Sequence, residues 1–315
     1  MNDEFIKQIQ SEKKKFSNAA FSKRLLTEEQ NLKDTYIVEG FLGEGAFAEV
    51  YRVKHYLFGR QALKIFKMPG SIAEISHSLE EAVLLSKLGH RGIIRVFDAG
   101  VYENENGSHG YFTMEYIAGG SLYRHWLNYG NKFMPVEEAV DIVRQVAEGL
   151  ALAHQDNPPI VHRDIKPHNI LVGYDALGMR VCLSDFGLAK HVHPLQLAAS
   201  VRGTLIYKAP ETFSDYGADS CAGDVWALGV VLYQLLTNHF PYELGGSEQL
   251  TANSFDVTLK RAQDFNMMVD DDLEKIVNKA LAIDKAKRYQ TGVEFLADLR
   301  RWNGSKSELH RAEFL

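Results

Sequence analysis

The sequence predicts an α+β protein, in which a small antiparallel sheet with one helix precedes a larger, mainly helical region. Three observations predict it. Short alternating runs of apolar and polar residues, parted by glycine-rich or polar turns, fill residues from about 34 to 67, and two more strands follow near 93–101 and 110–116. Apolar positions at helical spacing take over after Gly119-Gly120. The composition, 45% hydrophobic and 24% charged, is that of an ordinary globular protein and excludes disordered, collagen-like and coiled-coil classes.

The elements follow in order. Residues 1–33 read as a polar N-terminal extension, in which Phe5, Ile9, Phe16 and Ala20 share one helical face. Tyr36-Ile37-Val38, Glu49 to Val53 and Gln61 to Ile65 read as three strands. One helix is expected over 73–88, with Ile75, Leu79, Ala82, Val83 and Leu85 mostly at helical spacing. Two strands, near 93–101 and 110–116, flank a polar turn. Residues 34–117 thus form a small lobe. Pro135, followed by Glu137 and Glu138, opens a helix whose stripe is Val136, Val140, Val143, Val146 and Leu150. Residues 224–237 are apolar nearly all round and suit a buried helix. Amphipathic helices near 271–282 and 291–302 complete a larger lobe over 118–303, before a tail at 304–315. Ligands favour clefts between such units.

With 35 basic and 41 acidic residues, the net charge of −6 disfavours nucleic acid and anionic membranes as partners. Cys182 and Cys221 make neither a disulfide framework nor a zinc site alone. No apolar run is long enough for a membrane span, and the opening MNDEF lacks the basic and apolar regions of a signal peptide. A reducing cytoplasm is the expected setting.

The chemistry lies in short loops. Gly43-Glu44-Gly45-Ala46-Phe47-Ala48 fits a dinucleotide fingerprint, but a strand follows it where that fingerprint needs a helix. The glycines therefore turn between two strands, as a flap over phosphates does. In His162-Arg163-Asp164-Ile165-Lys166-Pro167-His168-Asn169, Asp164 can accept a proton from an attacking hydroxyl. Lys166 can stabilise a transferring phosphoryl group, and Asn169 can offer an oxygen to a divalent metal. Asp185-Phe186-Gly187 adds a second oxygen ligand just after a strand at Arg180–Leu183.

Together these motifs resemble the Hanks-type Ser/Thr protein kinases, including those of bacteria, over about residues 36 to 302. The resemblance implies a bilobal protein-kinase-like fold, ATP as substrate, and Mg²⁺, with Mn²⁺ as the alternative ion. It implies a protein carrying a Ser or Thr acceptor as the partner. Lys64 would hold the α- and β-phosphates, with Glu81 as its ion-pair partner and neighbouring Glu80 ranked second. Leu42, Gly43, Gly45 and Phe47 would form the flap, and Val50, Ala62 and Leu171 would sandwich adenine. Met114 matches the gatekeeper, Glu115 and Ile117 the hinge, and Ser121 a ribose contact. Asp164 and Lys166 match the catalytic pair, and Asn169 and Asp185 the metal ligands. Leu85, Val96, His162 and Phe186 correspond to a stacked regulatory set anchored by Asp224, and Arg288 to the partner of Glu211.

Lys166 with Thr204 is the Ser/Thr pattern. Family positions that often read basic substrates are Ser121, His168 and Gln234 here, none of them acidic. Arg163 and Lys190 are placed to grip a phosphate on Ser200, the alternative being that Ser200 is a solvated loop serine. Ala48 stands in place of the third flap glycine, and His90-Arg91-Gly92 in place of the common His-Pro-Asn. Two rivals to an active kinase are a scaffold without catalysis and a small-molecule kinase of related fold. The filled catalytic positions oppose the first, and the Gly203 to Glu211 segment opposes the second.

Overall fold

The computed structural model describes residues 24–186, 205–213, 218–242, 255 and 258–304. The chain divides into two compact units. The first contains the described residues up to Leu79 together with Phe97–Tyr116, and the second contains Glu80–Val96 and the described residues from Ile117 on.

The first unit is built on a sheet. Its strands are β1 (Asn31–Leu32), β2 (Tyr36–Glu44), β3 (Ala48–His55), β4 (Gly59–Phe66), β5 (Val96–Asn104) and β6 (Gly107–Glu115). They lie in the order β1-β2-β3-β4-β6-β5. Alternation assigns each face of the sheet a task. Tyr51, Val53, Leu63, Ile65 and Tyr111 fall on one face and join Leu26, Leu32, Tyr36 and Val38 in a buried cluster. The other face carries Val50 opposite Lys64, Lys64 opposite Phe112, and Ala62 opposite Met114.

Residues 24–33, read from sequence as part of an extension, belong to this sheet unit. β1 pairs with β2, and Leu26 is buried. Two anchors fix the segment. The Leu25 N–H donates to Glu49 Oε2 (3.0 Å), and the Leu26 N–H to the Tyr51 hydroxyl (3.2 Å).

The single helix expected over 73–88 is two helices, α1 (Ile72–Ser78) and α2 (Glu80–Lys87). A capping box starts α1: the Ser71 hydroxyl accepts from Glu74 N, and the Glu74 carboxylate accepts from Ser71 N. At its end the Ser78 hydroxyl takes the Glu74 carbonyl (3.0 Å), a local bond that competes with continued helix. Val83, placed on the apolar stripe by spacing, is exposed.

The second unit also contains α3 (Leu122–Leu127), α4 (Val136–His154), the hairpin β7 (Ile170–Asp175) and β8 (Gly178–Leu183), α5 (Cys221–Thr237), α6 (Asp271–Ala280) and α7 (Gly292–Arg301). The whole expected stripe of α4 is buried. α5 is buried nearly all round, as its composition requires. Just before α3 the backbone runs against β7. A Cβ at Gly119 would sit 2.2 Å from the Val172 carbonyl, and Gly120 has φ +77°. Only glycine fits this approach. It brings Ser121 into a bridge with Leu171.

Candidate active site

The first unit carries the residues expected to face phosphate. Register places Gly43 opposite Val50 and Val50 opposite Lys64, so the flap and the lysine share a face. Lys64 is buried, its Nζ 5.5 Å from the centre of the Phe112 ring. The turn closes through Gly45 N–H to Ala48 O (2.8 Å). A Cβ at Gly43 or Gly45 would meet nothing within 4 Å. Packing within the chain does not call for these glycines. The open backbone leaves room for close approach by an outside group.

A test follows. Gly45→Val should leave stability within about 0.5 kcal/mol of the parent. It should raise the KM for ATP about tenfold, equivalent to about 1.4 kcal/mol. Thermal unfolding beside steady-state kinetics would separate the two effects, and an unchanged KM would refute the assignment.

The second unit supplies a loop of acids and donors. Lys166 Nζ donates to both Asp164 oxygens (3.1 and 2.8 Å). Asn169 Nδ2 donates to the Asp164 carbonyl and to its Oδ2, both at 2.8 Å. The Asp164 carboxylate is thereby aimed by two neighbours of its own loop. With its amide nitrogen committed, Asn169 keeps Oδ1 for another partner. Ser184, adjacent to Asp185, donates from N and from Oγ to the Asn169 carbonyl (2.9 and 3.1 Å). That tie joins the segments carrying the two expected metal ligands. Two hard oxygen donors suit a magnesium-type ion whose remaining ligands are phosphates and water.

Two residues here have positive φ without being glycine, Arg163 (+72°) and Asp185 (+62°). Such backbone costs on the order of 1–3 kcal/mol and persists where surrounding contacts over-determine it. At Arg163, Asp224 in the first turn of α5 supplies such contacts. Its carboxylate accepts the N–H of His162 (2.7 Å) and of Arg163 (2.8 Å). It also accepts from His154 Nε2 (3.1 Å). Burial lowers and the Asp224 carboxylate raises the affinity of His154 for a second proton, and the carboxylate prevails in the balance of charge. The Gly292 N–H, however, donates to Nδ1 (3.0 Å). Nδ1 must offer a lone pair there, so geometry selects the neutral ring with its proton on Nε2. His162 is likewise neutral. Burial pushes its pKa down, its Nδ1 accepts from Asp164 N (3.2 Å), and its Nε2 faces the Ser184 carbonyl (2.9 Å). Its ring packs 4.4 Å from that of Phe186, as expected of the stacked set.

The remaining expected residues lie as follows. Met114 and Ala62 are buried and directly opposed, and Leu42 is exposed in the flap strand. Glu81 is buried in α2. The Ser121 hydroxyl caps α3, accepting from Arg124 N (3.4 Å). His168 stacks on Tyr123 at 4.2 Å, and the buried Gln234 accepts from the Tyr207 hydroxyl (2.7 Å). Arg288 meets Glu211 through two bonds (2.9 and 3.1 Å). Ser200, Thr204 and Lys190 lie outside the described residues. Sequence reading missed His154 as an Asp224 ligand, and Lys208 and Asp219, which meet Arg163. No local pattern announces any of the three.

The first unit thus carries an open flap and a buried lysine on one face, and the second carries a carboxylate aimed by Lys166 and Asn169. Comparison supplies the family. The family model for the protein kinase domain matches residues 36–296, and the chain belongs to the protein kinase family, of the Hanks type. It is 31% identical over 276 residues to the serine/threonine-protein kinase PrkC of Bacillus subtilis, covering 86% of this chain and 41% of PrkC. It is 32% identical over 273 residues to the serine/threonine-protein kinase PknL of Mycobacterium tuberculosis, covering 85% and 65%. Among solved structures, the PknI kinase domain of Mycobacterium tuberculosis superposes with a TM-score of 0.64 at 25% identity, over 88% of this chain and 99% of that one. The chain thus spans between 41% and 65% of the length of those two curated relatives. Members of the family use ATP and a divalent metal. Among the described residues no helix is long and apolar enough to cross a membrane.

Proposed function

We propose that the chain transfers the γ-phosphoryl of ATP to Ser or Thr hydroxyls of protein substrates. The observation that carries this reading is the Asp164 carboxylate held by Lys166 and Asn169. That carboxylate takes the proton of the acceptor hydroxyl as the new O–P bond forms and the bond to the β-phosphate oxygen breaks. Lys166 then lies against the transferring group, balancing its charge. Lys64 holds the α- and β-phosphates, and Glu81 is the acid the family assigns to it. Asn169 and Asp185 are the oxygen donors that would hold Mg²⁺, or Mn²⁺, which would supply positive charge to offset that of the phosphates. Val50, Ala62 and Met114 offer an apolar face for adenine. Lys166 and Thr204, together with the names of the relatives, support Ser/Thr acceptors.

The test is transfer from labelled ATP to myelin basic protein, with Asp164→Asn in parallel. The wild type should label Ser and Thr. The variant should bind ATP with unchanged affinity and turn over about 10²- to 10⁴-fold more slowly, the usual loss when a general base is removed. Equal, negligible labelling by both proteins would defeat this reading and favour a scaffold.

A further inference from the structure

Arg163 is held at three points by described residues. Its N–H donates to Asp224 Oδ1 (2.8 Å), its carbonyl accepts from Lys208 Nζ (2.8 Å), and its guanidinium pairs with Asp219 (Nε to Oδ2, 3.5 Å). The same Asp219 carboxylate pairs with Lys208 Nζ (3.3 Å). One acid therefore lies between two cations that would otherwise repel each other, and one of those cations also grips the carbonyl that leads directly into Asp164.

The placement of these residues is economical. Asp219 immediately precedes Ser220, the N-cap of α5, and Asp224 lies in the first turn of that helix. Lys208 immediately precedes Ala209 and Pro210, both buried. The holders thus sit on a buried helix start and on a packed segment. The held residue has the strained φ of +72°, which lasts only where contacts over-determine it. The sequence reading gave Arg163 a phosphate on Ser200 as its counter-charge. Among the described residues Asp219 already provides one, from within the fold.

We propose, on the basis of the kinase reading above, that Lys208 and Asp219 are positioning residues. They fix the catalytic loop through Arg163 from within the chain, so that phosphate on the activation segment is not required for turnover. A negative charge against Arg163 is what such a phosphate would bring, and Asp219 brings it permanently.

The test compares four proteins, each treated with phosphatase and confirmed free of phosphate by mass spectrometry: wild type, Ser200→Ala, Asp219→Asn and Lys208→Met. Wild type and Ser200→Ala should keep kcat within about twofold of the untreated enzyme. Asp219→Asn and Lys208→Met should lose about tenfold or more in kcat with the KM for ATP unchanged, since small displacements of a catalytic group cost up to about a hundredfold. Lys208→Arg and Asp219→Glu, which restore charge, should recover part of the loss. A merely structural role would move thermal stability instead and leave this split absent. Amide exchange at residues 162–166 gives a readout independent of activity, and should be faster in Asp219→Asn than in wild type. The proposal is overturned if Asp219→Asn matches wild type in turnover, if dephosphorylated wild type falls tenfold and recovers on rephosphorylation, or if exchange at 162–166 is unchanged. Failure of the kinase reading is distinct: wild type would then label no more than Asp164→Asn, and the exchange measurement would still decide the clamp.

Discussion

Asp224→Asn is expected to destabilise the second unit by about 3 kcal/mol and to cut turnover about a hundredfold or more. The carboxylate is 3% exposed and accepts from His162 N, Arg163 N and His154 Nε2. An amide of the same shape keeps one acceptor oxygen and puts a donor in place of the other. If the nitrogen takes the Oδ1 position it faces the Arg163 N–H. In the Oδ2 position it faces both His162 and His154. Either orientation sets donor against donor where water cannot intervene, and hydrogen bonds to charged groups are worth about 1.5–3 kcal/mol each. The loss of turnover follows because the released amides belong to the two residues before Asp164. Urea unfolding and steady-state kinetics measure the two effects.

The pH dependence of that difference is also determined. Burial alone would raise the Asp224 pKa, but the hydrogen bonds from His154 and from the His162 amide oppose it, and the carboxyl lies below the usual range. A depressed carboxyl contributes stability that is complete above its unfolded pKa of about 4 and is lost as pH falls through the folded value. Wild type and Asp224→Asn should therefore converge in stability as pH is lowered below about 4. A gap that stays constant from neutral pH to pH 3 would show that the carboxylate is not the source.

The distribution of what the sequence reveals follows from this chemistry. Phosphate handling needs particular side chains close together in short loops, so Asp164, Lys166, Asn169 and Asp185 stand out by residue type and order. Sheet alternation likewise places Ala62 and Lys64 on one face of their strand before any coordinates are known. What escapes is set by pairing between distant segments. Leu26 and Leu32 have no periodic signal, yet Glu49 and Tyr51 bind the chain that carries them. The break at Leu79 has no glycine or proline to mark it. β7 runs straight on from the catalytic loop as the apolar stretch Ile170–Val172, and only its partner β8 shows strand spacing. Lys208 and Asp219 carry ordinary surface charges until the fold brings them to Arg163.

Removing either partner of the Glu211–Arg288 pair is expected to cost stability on the order of 3–5 kcal/mol, with Glu211→Ala the more damaging and Glu211→Gln intermediate. The asymmetry comes from exposure. The Arg288 side chain is 0% exposed and that of Glu211 19%. A carboxylate left alone can hydrate, whereas a guanidinium left alone cannot. Arg288 does keep the Ala222 and Ala282 carbonyls (both 3.1 Å) and the Trp226 ring (4.9 Å), but these carry no countercharge. Arg288→Met strands those carbonyls instead, each a smaller penalty of about 1–3 kcal/mol. The double variant Glu211→Leu, Arg288→Met should recover much of the loss of Glu211→Ala, because replacing a buried ion pair by apolar side chains is often close to neutral. Calorimetric unfolding of wild type, Glu211→Leu, Arg288→Met and the double variant, as a double-mutant cycle, gives the coupling directly. A double variant as unstable as the sum of its singles would mean that the two side chains act independently. The pair joins the segment that carries Lys208 to the turn before α7.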